Sequence, residues 1–74
     1  MKITYDSDVD ALYIQLREIL PGQAENRELA EGIVADFGPD GVLSGIEILD
    51  ASHVLGTEKD QVLVELSPAH RAAA

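Results

Sequence analysis

Two acids of this chain, Asp36 and Glu47, interrupt apolar runs in neighbouring extended segments. Paired carboxylates can do acid–base chemistry when their surroundings push their pKa values apart. Acids alternating along a strand are, more commonly, the wet side of a sheet. Solvation is therefore the first reading, a contact surface the second and catalysis the last. With Tyr13, Leu43, Leu49 and Asp50, the two acids form a candidate interaction face. An aromatic ring with a polar tip, such as Tyr13 or Tyr5, serves either packing or an interface.

Other chemistry-bearing residues do not converge. Asp6, Asp8 and Asp10 have the spacing that opens a calcium loop, but the sixth and twelfth positions hold Ala11 and Arg17 instead of glycine and a bidentate acid. They read as a solvated turn. His53 and His70 are the only histidines and stand far apart, with no ligand cluster around either. Gly38-Pro39-Asp40-Gly41 lacks the ending of a phosphate loop, and no serine sits in a nucleophile elbow. No catalytic, cofactor-binding or metal-ligating residue is assigned, and no cofactor is expected.

The elements that position these residues come from one small domain. A chain of 74 residues buries only ~60% of its unfolded surface, and oligomerisation is a common remedy. A homodimer is the default expectation. With 46% apolar and 26% charged residues the composition is that of a globular protein. Fourteen acids against five bases give a net charge of −9, which disfavours direct contact with nucleic acid or anionic membranes. That charge suits solubility, and also a basic protein partner. There is no cysteine, hence no disulfide and no thiolate metal site. Met1 to Asp6 lacks the apolar stretch of a signal peptide, and no run reaches the ~20 apolar residues of a membrane span. A cytoplasmic location follows as an expectation.

The run Val42 to Gly56 organises the chain. Val42, Ser44, Ile46 and Ile48 alternate with Leu43, Gly45, Glu47 and Leu49, as in a half-buried strand. Asp50 is the expected N-cap of a short helical turn, Leu49 and Val54 its staple, and Gly56 its stop. Lys2 to Tyr5 and Ala11 to Arg17 alternate too, and read as a hairpin around an Asp-rich turn. Glu18 to Asn26 reads as a loop, and Arg27 to Glu31 as an edge strand at best. Gly32 to Phe37 is a strand that turns at Gly38-Pro39-Asp40-Gly41 onto Val42. A three-residue loop with left-handed Gly41 would pair Val34 with Ile46. The register that pairs Ile33 with Ile46 and Phe37 with Val42 buries more, and is preferred. It places Asp36 and Glu47 together on the opposite face. Gln61 to Ser67 alternates as a last strand, and Ser67-Pro68 could start a helix. The expected architecture is a mainly β domain over 1–67, bordering on α+β: a small antiparallel sheet of five or six short strands with one helical turn after the central strand. Residues 68–74 are read as a frayed tail.

Several of these residues resemble one family. Tyr5-Asp6, Asp10-Ala11-Leu12-Tyr13-Ile14 with Leu16, Gly32-Ile33, Asp36 and Gly45-Ile46-Glu47-Ile48-Leu49-Asp50-Ala51-Ser52 are similar to the small bacterial and archaeal proteins catalogued as domain of unknown function 2283. The resemblance covers about residues 1 to 56. It implies a small β-rich domain without an established activity, and association with small ribonuclease-type toxins as an antitoxin-like partner.

Three functions are expected in order. The first is a non-enzymatic interaction module acting as a homo-oligomer. The second is an antitoxin-like partner whose acids cover a basic cleft. The third is a small carboxylate-dependent enzyme, which requires Asp36 or Glu47 in a pocket with a raised pKa.

Overall fold

The computed structural model describes residues 1–20 and 22–68. Five strands form one open antiparallel sheet: β1 (Lys2–Asp6), β2 (Ala11–Gln15), β3 (Glu25–Ala30), β4 (Ile33–Phe37) and β5 (Leu43–Ile48). Their order across the sheet is β1-β2-β5-β4-β3, so β5 is central and β1 and β3 are the edges. A four-residue helix, α1 (Ala51–Val54), follows β5, and a 3₁₀ turn covers Lys59–Gln61.

Cross-strand pairing sorts the side chains onto two faces. Ile14 lies opposite Ile3 on one side and Ile46 on the other; Leu12 likewise lies between Tyr5 and Ile48. Ile33 and Ala35 extend this apolar face by facing Ile48 and Ile46. The other face carries Thr4, Tyr13, Glu47, Val34, Asp36 and Asn26. Only Leu12, Ala35 and Ala51 are buried hydrophobics among the described residues, whereas the isoleucines of the apolar face stay half-buried.

The hairpin between β4 and β5 corrects both expected registers. Close to the turn, Gly38 N–H donates to Val42 and Gly41 is left-handed at φ 78°, as a three-residue loop requires. Phe37 therefore meets Leu43. A bulge then inserts Ser44, and beyond it Ala35 pairs with Ile46 and Ile33 with Ile48. The pairings of Val34 or Ile33 with Ile46, and of Phe37 with Val42, are thus absent. The bulge reconciles turn geometry with burial: it keeps the loop and still puts Ile33 and Ile46 on one face.

Three further expectations are corrected. Asp50 makes no side-chain cap on α1; it is left-handed at φ 52°. Gln61 to Ser67 is no strand: after the 3₁₀ turn the backbone is extended at Val62, and Val62 to Pro68 has no sheet partner. Val62, Val64 and Leu66 instead face Ile3, Tyr5 and Leu12 across an apolar groove, as a strap over the β1–β2 side of the sheet. The third concerns Glu25 and Asn26, expected in a loop, which begin β3. The helix and frayed tail expected after Pro68 lie outside the described residues. Among those residues no helix is long and apolar enough to cross a membrane.

Candidate functional site

Two polar clusters dominate the molecule. The first is built around Asp10, the last residue of the β1–β2 turn. Asp10 is left-handed at φ 53° and only 5% exposed. Its Oδ1 accepts from the Tyr5 hydroxyl (2.7 Å) and the Ser52 N–H (3.1 Å), and its Oδ2 from the Ser52 hydroxyl (2.6 Å). The Asp10 carbonyl also accepts from Ala51 N–H (2.9 Å). Asp10 therefore satisfies the free amides at the start of α1, the task expected of Asp50, from forty residues upstream. The Ser52 hydroxyl, then the Tyr5 hydroxyl, stabilise its charged form and hold its pKa below the ordinary 3.8, against the opposing effect of burial. This cluster joins the first hairpin to the segment after β5. It is a structural clasp, with every carboxylate contact made inside the chain.

The second cluster lies on the polar face. Asp36 accepts from the Tyr13 hydroxyl (3.0 Å) through Oδ2 and from the Asn26 amide through Oδ1, linking β2, β4 and β3. Tyr13 leans across β5 at Gly45: a Cβ there would lie 2.2 Å from the phenol oxygen. A glycine inside a strand marks this kind of close approach. Burial, then the hydrogen bond to Asp36, raise the Tyr13 pKa above 10.0, so the phenol stays a donor at neutral pH.

The six residues of the candidate interaction face do not form one patch. Tyr13 pairs with Glu47, and Asp36 stands opposite Gly45, so these three share the polar face. Leu43 sits beside the bulge opposite Phe37. Leu49 and Asp50 lie beyond the strand, where they line a cleft with Glu31, Gly32, His53 and Val54. Neither Asp36 nor Glu47 lines that cleft. Asp6 accepts from Asp8 N–H (3.0 Å) while Asp10 turns to Ser52, so the three aspartates form a turn with divergent carboxylates. No group of three acids or histidines that could hold a metal occurs among the described residues. His70 lies outside them.

The residues that carried the resemblance have now found their places: Tyr5, Asp10, Ala51 and Ser52 make the clasp, and Tyr13, Asp36 and Gly45 make the polar link. The family model described as a protein of unknown function, DUF2283, matches residues 2–52. The chain belongs to the DUF2283 family. The match ends within α1, just after the Ser52 contact to Asp10, so it spans the sheet and its clasp and stops short of the strap. No curated protein and no solved structure matches the chain. Sequence reading missed the clasp because Asp10 and Ser52 are 42 positions apart. The available signal was local: an aspartate ending a turn tolerates the left-handed conformation that aims its carboxylate back at the chain.

Proposed function

We propose that this DUF2283 protein is a non-enzymatic interaction module that self-associates through the apolar face of its sheet. One observation carries the reading: the sheet is a single layer, and its apolar face is only partly covered. The strap shares a groove with Ile3, Tyr5 and Leu12 and leaves only Leu12 buried, while Ile3, Tyr5, Ile14, Ile33, Phe37, Ile46 and Ile48 remain half-buried. Domains bury a sheet's apolar face against a second layer. The described part of this chain offers only four residues of helix and the strap for that purpose. A second copy presents the same row, and two such faces packed ~10 Å apart would make the missing core.

Polar chemistry supports the non-enzymatic half. The Asp36 carboxylate is engaged by Tyr13 and Asn26 on an open sheet face, and the Asp10 carboxylate is consumed by the clasp. Sedimentation of the chain at tens of micromolar tests the proposal. The wild type should sediment above the monomer mass, and Ile46→Asp, which sets a charge in the middle of the face, should sediment at a lower mass than wild type with the same β signature. A wild-type monomer would overturn it. A second reading, an antitoxin-like partner of a basic ribonuclease-type toxin, draws on β3: this edge is exposed throughout and carries Glu25 and Glu28, with Glu31 just beyond. Co-expression with a small basic neighbouring gene product, followed by pull-down, tests that reading.

A further inference from the structure

The two edges of the sheet differ in what they can accept. Antiparallel strands related by a two-fold axis carry one residue onto its own copy, so paired residue numbers sum to an even value. Along β3, the two such registers with the longest overlap set Arg27 against Arg27 or Glu28 against Glu28, and the irregularity between Glu28 and Ala30 interrupts the edge further. Like charges directly opposed are destabilising, and both devices protect an edge.

β1 behaves in the opposite way. Read against itself about Thr4, the sequence Lys2-Ile3-Thr4-Tyr5-Asp6 sets Lys2 opposite Asp6 of a second copy, Ile3 opposite Tyr5, and Thr4 opposite Thr4. Opposite charges, a β-branched residue against an aromatic ring and a threonine pair are the cross-strand combinations that stabilise sheets. Lys2 makes no ion pair among the described residues.

The backbone phase fits the same register. Leu16 N–H donates to the Ser44 carbonyl (2.9 Å), and Leu49 N–H to Gly32 (2.7 Å). Hydrogen-bonded pairs alternate along antiparallel ladders, so Leu12 and Ile14 bond toward β5, and Ala11, Tyr13 and Gln15 toward β1. Lys2, Thr4 and Asp6 then bond inward, which turns the N–H and C=O of Ile3 to the outer edge. The Thr4 pair becomes a non-hydrogen-bonded pair, with Cα atoms about 4.5 Å apart.

We propose that β1 is a second self-association surface, on which two copies of this chain pair antiparallel about Thr4. The product is one continuous ten-stranded sheet, five strands from each copy, with both apolar faces on the same side. This contact is geometrically independent of stacking through the apolar face, which it leaves open.

The chain has no cysteine, so a single one reports the register. Thr4 is exposed on the polar face, and Thr4→Cys should leave the fold intact. At tens of micromolar in a thiol–disulfide buffer, Thr4→Cys should form a covalent dimer, because a Cα separation of about 4.5 Å suits a disulfide. Lys2→Cys is the control: its copy would lie four residues away, roughly 13 Å along the strand, and should cross-link no faster than random collision. In the Thr4→Cys background, Lys2→Asp should slow cross-linking by roughly tenfold, and adding Asp6→Lys should restore it. Equal cross-linking at positions 2 and 4, or none at position 4 in a folded variant, overturns the proposal. The Ile46→Asp background separates the two contacts: cross-linking at position 4 should persist there even though sheet-face stacking is lost.

Discussion

At the scale of single residues, Asp10 carries the heaviest assignment in the molecule. Its charged form is favoured by two hydroxyls and an amide, so its pKa lies below 3.8 in the fold. A carboxylate lowered in this way adds stability that is fully present above the unfolded value and disappears as pH falls through the folded one. Asp10→Asn keeps the shape and removes the charge. The variant should be less stable than wild type at neutral pH, with the difference narrowing on acidification below 3.8. Urea unfolding at fixed protein concentration, repeated across pH, measures this. A difference that stays constant down to the acid limb would show that the charge on Asp10 contributes nothing. Tyr13 is shifted in the neutral direction, and its contribution is retained until pH rises through its elevated value.

At the scale of elements, legibility tracked distance along the chain. The first hairpin was readable because Lys2 to Tyr5 and Ala11 to Arg17 both alternate and the turn between them is aspartate-rich. The β4–β5 turn was readable from Pro39-Asp40-Gly41, yet the register was not, since a bulge at Ser44 leaves no mark in a period-two pattern. Gln61 to Ser67 shows the reverse failure. Its alternation is real, yet it pairs with no strand: Val62, Val64 and Leu66 line the apolar groove, with Val64 and Leu66 still exposed. Neither the Asp10 clasp nor the Asp36 link was legible, because each joins elements that only the topology brings together. Gly45 was the one local trace of the second. Adding a methyl group there drives it into the Tyr13 ring, so Gly45→Ala should cost about 1–3 kcal/mol. In the Tyr13→Ala background the same change should cost much less, and a double-mutant cycle reads the difference. Additive costs would mean that Tyr13 does not lie over Gly45.

At the scale of the whole molecule, the sheet is open. The Cα radius of gyration is 14.3 Å, above the roughly 11 Å of a compact chain of this length. An open sheet with one apolar face asks for a partner, and the net charge of −9 distinguishes the candidates. Two copies of this chain repel each other over long range, so the proposed self-association would have to be held by apolar contact. Raising salt shortens the screening length from about 10 Å at 0.1 M to roughly 3 Å at 1 M and weakens that repulsion. Self-association through the sheet face should therefore tighten, or at least hold, as salt increases. A complex with a basic protein is drawn together by the same charge and should loosen over the same range. Sedimentation of the isolated chain at low and high salt measures the first, and pull-down of a basic partner across the same series the second. If the homo-oligomer instead dissociates as salt rises, ionic pairs hold it, and the apolar face is left for another partner.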